Sequence, residues 1–151
     1  MSEVNNAGPY TVTDGPFAGW LTWSRGADPF ETHVGPFYFR KHTSGEIEAV
    51  FTPETHHCNG GGMIHGGMLM TFADFCLFAI AFDALGDDRA LTVSCNSEFL
   101  GAAKPGTLIR GSGQVTRAAK SLIFVQGTLA QEGAPVLAFS GILKKLRLNL
   151  T

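Results

Sequence analysis

Residues 65–86, His-Gly-Gly-Met-Leu-Met-Thr-Phe-Ala-Asp-Phe-Cys-Leu-Phe-Ala-Ile-Ala-Phe-Asp-Ala-Leu-Gly, decide the fold. From Met68 to Leu85 no glycine or proline interrupts the run, and Gly86 supplies a stop, so the segment predicts a helix of about five turns at ~3.6 residues per turn. Apolar side chains occupy every side of that helix, which leaves it no face for water. It must therefore be enclosed, most simply by a sheet wrapped around it and by another subunit. The run approaches membrane-spanning length, but Asp74 in its middle and Asp83 near its end are each costly in lipid. It reads as a buried helix, with Asp83 at its polar end as a solvated or capping residue.

Upstream, Gly35 to Lys41 and Gly45 to Thr52 read as two strands of a hairpin around His42-Thr43-Ser44. Between them and the helix, Pro53 to Gly62 ends in three consecutive glycines and reads as a loop. Downstream come Ala90 to Leu100, Thr107 to Arg117, Ser121 to Gln131 and Val136 to Leu146, four strands separated by turn signals such as Lys104-Pro105-Gly106. Two strands, one buried helix and four strands make one α+β domain over 35–147, with a tail at 148–151. Residues 1–34 carry turn signals around Phe17, Trp20, Leu21, Trp23 and Phe30, and read as a packed extension behind a loose start, Met1 to Asn6.

Composition limits the function. Only 16% of the 151 residues are charged while 44% are apolar, which excludes disorder and favours burial of surface against a partner chain. A net charge of -2 with no basic run excludes the footprint of a nucleic-acid binder. Cys58, Cys76 and Cys95 are odd in number and form no Cys-x-x-Cys pair, which fits a reduced, cytoplasmic protein, and the start lacks the basic and apolar regions of a secretory signal.

Asp74 is a carboxyl group among Thr71, Phe72, Ala73, Phe75, Cys76, Leu77 and Phe78. Desolvation raises the pKa of such a group unless a hydrogen bond or cation compensates. It is either a buried acid satisfied by a local partner or a nucleophile or general base made more basic by the exclusion of water. The Gly66-Gly67 pair at the helix start is either a tight turn or an oxyanion site, since unpaired amides and the positive end of the helix dipole point outward there. No Gly-x-Ser-x-Gly elbow, phosphate-binding loop or Rossmann spacing occurs. His56, His57, Cys58 and His65 can bind metals, but their spacing matches no zinc pattern, and His65 reads as a hydrogen-bond partner that fixes its loop.

Taken together, Asn59, the His65-Gly66-Gly67 triplet, Asp74 nine residues after that histidine, the Leu91-Thr92-Val93-Ser94 strand and Ala103-Lys104-Pro105-Gly106 resemble the hotdog-fold acyl-CoA thioesterases of the phenylacetic-acid (PaaI-like) group. The resemblance covers roughly residues 35 to 147 and implies a curled sheet of about six antiparallel strands around one helix. It implies hydrolysis of an acyl-CoA thioester to free acid and CoA, without a cofactor. Asp74 then resembles the acid that activates water or attacks the thioester, and Gly66 supplies the amide that polarises its carbonyl. Asn59 is similar to the asparagine that places thioester and water, His65 supports that loop, and Thr92 holds the attacking water. The run Gly60-Gly61-Gly62 departs from the usual pattern by giving the Asn59 loop more freedom.

Gly66 and Asp74 are eight residues apart, about 12 Å along one helix at ~1.5 Å per residue. One thioester carbon cannot touch both, so if the two groups act together they come from different subunits of a homodimer, with two such helices antiparallel across a two-fold axis. The family's dimers commonly pair again into tetramers. Beside Gly67, Lys104, Arg117 and Lys120 are candidates for binding the CoA phosphates. Phe75 and Phe78 are candidates for the acyl pocket or else plain core, and Trp20 and Trp23 either cap that pocket or pack the extension. The alternative function is a hotdog protein that binds or senses acyl-CoA without turnover. A hydratase fits less well, because those sites pair histidine with an acid in a different motif.

Overall fold

The computed structural model describes residues 8–146, so the loose start and the tail at 148–151 lie outside the described residues. The elements run β1 (Tyr10–Thr11), β2 (Leu21–Thr22), α1 (Pro29–Val34), β3 (Tyr38–Lys41), β4 (Ile47–Phe51), α2 (Gly66–Ile80), α3 (Phe82–Leu85), β5 (Arg89–Phe99), β6 (Ile109–Ala118), β7 (Leu122–Gln131) and β8 (Ala134–Leu146). All strands join one antiparallel sheet in the order β1-β2-β3-β4-β6-β7-β8-β5. The sheet curls around α2, as the resemblance implied.

The sheet has eight strands rather than about six, because the extension adds β1 and β2 to the β3 edge. Gly15 (φ 76°) helps turn the chain back so that Tyr10 pairs with Thr22, and Leu21 then pairs with Phe39. Aromatic packing holds this addition: Trp23 stacks on Phe39 at 4.8 Å, and the Arg40 guanidinium lies 4.4 Å from the Trp20 ring centre. Both tryptophans therefore pack the extension onto the domain.

Helix α2 starts at Gly66, two residues before the expected Met68, because His65 caps it. Ala81, with ψ near 2°, separates it from α3, so the expected single run to Leu85 is two helices. Asp83 at that end pairs with Lys41. The buried residues of α2 point in all directions, including Leu69, Phe72, Phe75, Cys76 and Leu77. The sheet comes close enough to enclose them because β6 and β8 carry glycines where α2 presses on them: a Cβ on Gly111 would collide with Cys76 Sγ, and one on Gly141 with Leu77 Cδ1. At Gly113 a Cβ would meet the backbone at Gln126 and Gly127, which cannot move aside. Gly113→Ala is thus expected to destabilise the fold by about 1–3 kcal/mol, the usual cost of overpacking, measured as a lower urea midpoint.

Among the described residues, strand β5 ends the sheet with β8 as its one strand partner. Its Leu91, Val93 and Phe99 are more than half exposed. An open edge carrying apolar side chains is suited to contact with another chain.

Candidate active site

The pairing of α2 with β5 brings two of the expected site residues together. Asp74 lies near the middle of α2, and Thr92 Oγ1–H on β5 donates to Asp74 Oδ1 at 2.7 Å. Burial pushes the Asp74 carboxyl above its ordinary value, the Thr92 hydrogen bond works against that rise, and the negative charge of Asp28 adds to it. The result is a partly buried carboxylate with raised basicity and one hydrogen bond orienting it.

At the start of α2, His65 is the N-cap, and its Nδ1 accepts the Gly67 N–H at 2.9 Å. The expectation of two unpaired glycine amides is therefore corrected: the Gly67 donor is used by the cap, while the Gly66 N–H has no acceptor among the described residues. The absence of a side chain at Gly66 also matters, since a Cβ there would stand 3.1 Å from two ring atoms of Phe99. Two backbone bonds anchor this corner, from Ile64 N–H to Ala103 O and from His65 N–H to His57 O, each 2.9 Å.

The glycine-rich loop is more constrained than its composition suggests. Asn59 Oδ1 accepts from Gly61 N–H at 2.9 Å and Met63 N–H at 3.3 Å, and Asn59 N–H donates to Met63 O at 2.7 Å. The side chain closes its own turn, and these bonds identify the oxygen end of the amide, leaving the Nδ2 end to face other groups.

Gly66 and Asp74 do lie on one helix, so their separation of about 12 Å stands and a single chain does not bring them to one atom. Nor do the three expected cations converge. Lys104 adjoins the His65 loop, because Ile64 N–H donates to the neighbouring Ala103 O, and Gln131 holds the Lys104 backbone by Nε2–H to Lys104 O and by accepting Lys104 N–H at Oε1. Arg117 and Lys120 are at the β6–β7 turn, separated from it by about 30 Å of strand at ~3.3 Å per residue. Phe75 is fully buried among Trp23, Phe37, Phe39 and Phe72 and is core rather than a pocket wall. Phe78 is half-buried at the core boundary.

A groove of about 720 Å³ lies elsewhere, lined by Glu98, Ser112, Gln114, Gln126 and Thr128 among others. Since Gly111 and Gly113 face α2, the alternating Ser112 and Gln114 face away from it, so this groove is on the opposite side of the sheet from Asp74. Burial pushes the Cys76 and Cys95 thiols up, and nearby carboxylates add to this, which disfavours the thiolate form at both. Among the described residues no group of three or more His, Cys, Asp or Glu side chains could hold a metal ion, and no helix is long and apolar enough to cross a membrane.

Residues 61–138, half of the chain, match the thioesterase superfamily. The chain belongs to this superfamily. It is 28% identical over 117 residues to an inferred esterase of Pseudomonas aeruginosa, PA0474, covering 77% of this chain and 87% of the relative. Among solved structures it is similar to the Escherichia coli PaaI protein from the phenylacetic acid degradation operon, at 20% identity and TM-score 0.67 over 80% of this chain and 86% of the other. It is also similar to the BH2602 protein of Bacillus halodurans, solved with CoA, at 22% identity and TM-score 0.71 over 83% of each chain. At these identities the solved structures establish the hotdog fold.

The sequence reading of this thioesterase-superfamily member missed Asp28, whose charge raises Asp74, and Glu31, which burial and the charges of Asp28 and Asp74 raise. A signal was present: Asp28-Pro29-x-Glu31 is an N-cap, a proline at the first helical position and an acid at the third. That pattern marks a helix start, but not what the helix packs against.

Proposed function

We propose that this member of the superfamily hydrolyses a small or medium acyl- or aryl-CoA thioester at sites shared between two protomers. The observation that carries the reading is the placement, on one helix, of a hydrogen-bonded carboxylate with raised basicity and an amide without an acceptor, too far apart to act within one chain. Antiparallel apposition of two α2 helices would bring Asp74 of one protomer to Gly66 of its partner. The exposed apolar edge at β5 supports such a contact. The CoA in the similar Bacillus halodurans structure supports the ligand class.

In this arrangement the Gly66 N–H donates to the thioester carbonyl oxygen and strengthens its bond as negative charge develops there. The dipole of α2 acts in the same direction. Asp74 takes a proton from water as the water oxygen bonds to the carbonyl carbon, or attacks that carbon itself. Collapse of the tetrahedral intermediate breaks the C–S bond. In the first case the departing sulfur recovers the proton from Asp74. In the second it leaves as thiolate, after which water cleaves the acyl–Asp74 anhydride to the free acid and the Asp74 carboxylate and supplies the proton of the thiol. Thr92 orients Asp74, and the Nδ2 end of Asn59, which the loop's own bonds do not use, would help place the thioester. Lys104 of one protomer, with Arg117 and Lys120 of its partner, would then lie toward the same end of the shared site and meet the CoA phosphates. Phe78 remains the candidate for the acyl wall, and a second pairing of dimers would give a tetramer.

The test is a panel of short, medium and aryl CoA thioesters, with free thiol followed. Saturable binding without thiol release would favour the non-catalytic acyl-CoA binding alternative. Thr92→Val gives a second check. Loss of a hydrogen bond that favours the Asp74 anion raises that carboxyl further, so the acid limb of kcat/KM is expected to move to higher pH. A profile unchanged in pH would separate Thr92 from the role assigned to it.

A further inference from the structure

The mechanism above makes no use of His57, a buried imidazole in the loop ahead of α2. Both of its ring nitrogens are bonded to backbone groups at element ends. Glu54 N–H, at the start of the single helical turn Thr55–His57, donates to His57 Nδ1 at 2.8 Å. His57 Nε2–H donates at 2.7 Å to the oxygen of Val34, the last residue of α1. Amides and carbonyls at such ends have no partner within their own element and need one from outside when covered. One side chain therefore closes two ends, one in the domain and one in the extension.

These bonds fix the protonation state. A backbone N–H can only donate, so Nδ1 carries no proton, and the neutral ring keeps its one proton on Nε2 for Val34 O. A second proton could go only to Nδ1, where it would face the Glu54 N–H across 2.8 Å. Two donors repel, so the charged ring must give up a partner. The titratable neighbours are His56, with its ring centre 3.9 Å away, and Glu54, whose Oε2 lies 3.5 Å from His56 Nδ1. From β4 the ring meets Phe51 at 5.0 Å, and from α1 it meets the Val34 carbonyl. Burial holds His57 below its ordinary value and His56 adds to this, while the Val34 bond and the Glu54 charge oppose them.

The same residue reaches the start of α2. His57 O accepts His65 N–H at 2.9 Å, and the His65 torsions aim the next amide, that of Gly66. Ile64 N–H to Ala103 O holds the corner from its other side, so losing the His57 ring bonds shifts the corner rather than freeing it. We propose that His57 is a positioning residue for the Gly66 amide: its neutral ring clamps the extension to the loop that aims this donor, and a proton on the ring opens the clamp. This deepens the hydrolytic reading, and its consequence for turnover rests on that reading. His57 itself forms no bond to substrate.

The first experiment needs no turnover. Ring ¹⁵N and Gly66 amide NMR signals of the full chain are followed as pH is lowered. His57 is expected to show the Nε2–H tautomer, a midpoint below 6.5, and a Gly66 amide shift that follows this midpoint. His65, whose Nδ1 accepts Gly67 N–H, titrates at the same corner and is read from its own ring signals. In His57→Gln, the part of the Gly66 response that follows His57 should vanish while the part that follows His65 stays. His57→Asn is a second variant that cannot titrate, and its oxygen can still accept the Glu54 N–H. An Nδ1–H tautomer, a midpoint above 6.5, or a Gly66 response that is the same with and without a titrating residue 57 overturns the proposal.

On a thioester that the chain cleaves, His57→Ala is expected to lose up to about 10²-fold in kcat with KM little changed, because a misaimed donor fails mainly in the transition state. His57→Gln, whose amide can still donate to Val34 O, should regain part of that loss. A kcat per folded chain equal to wild type, with only the melting curve lowered, would mean a merely structural role and overturns the proposal. If no thioester is cleaved, the hydrolytic reading fails while the NMR titration still decides the clamp. The unfolded chain takes up the His57 proton near 6.5 and the folded chain only below that. Wild-type stability therefore falls as pH drops below 6.5, and His57→Gln is spared this fall.

Discussion

Asp74→Asn is expected to lower thioester turnover by about 10² to 10⁴ while leaving the fold intact, the scale on which enzymes depend on a positioned acid–base group. The replacement has nearly the same shape, and its Oδ1 can still accept from Thr92 Oγ1–H, so the link between α2 and β5 survives. What disappears is the negative charge, and with it either the ability to take a proton from water or to attack the carbonyl carbon. Because burial and Asp28 already disfavour that charge, its removal should also leave the protein at least as stable as wild type at neutral pH. Free-thiol release and a melting curve on the same sample check both parts. Near-normal turnover in a folded Asp74→Asn chain would remove Asp74 from the mechanism.

The second large effect concerns the partner. Gly66→Pro deletes the proposed oxyanion donor at a position where proline is tolerated, the first residue of a helix. The preceding His65 already has φ -58° and ψ 135°, the extended conformation that a following proline requires. The ring does approach Phe99, which is more than half exposed and can move. Loss of one such donor costs about 10² to 10³ in kcat. Each variant alone should therefore be nearly inactive as a homodimer. Mixed with Asp74→Asn chains under conditions that exchange subunits, Gly66→Pro chains should recover part of the activity. A mixed dimer has one site with both defects and one site with neither, so random exchange would put about half of the dimers in a form with one intact site. Absence of recovery, with exchange verified by mass-tagged chains, would mean that the two groups do not cooperate across an interface.

Much of this was legible in the chain before any coordinates. The strand and helix order followed from local signals: turn residues at 53–62 and 104–106, strand-favouring side chains such as Phe37, Phe39, Val50 and Phe51, and an unbroken apolar run without a polar face. Asp74 stood out because a charge in that run needs a reason, and its eight-residue distance from Gly66 is a property of helix geometry alone. Resemblance implied only that Thr92 holds the attacking water; its hydrogen bond to Asp74 was not legible, because eighteen residues and a change of element separate them. The use of Gly67 by the His65 cap, the closing of the glycine loop by Asn59, and the burial of Phe75 all depend on side-chain directions, which periodicity does not specify.

The sequence by itself determined one α+β domain whose buried helix carries an acid and starts at a glycine, because element type and spacing are local properties of a chain, while the hotdog fold followed from the resemblance of its motifs. Only the tertiary structure decided that the extension joins the sheet, that Thr92 meets Asp74, and that Lys104 is remote from Arg117 and Lys120. Those relations join residues tens of positions apart, and only packing around α2 determines which of them meet.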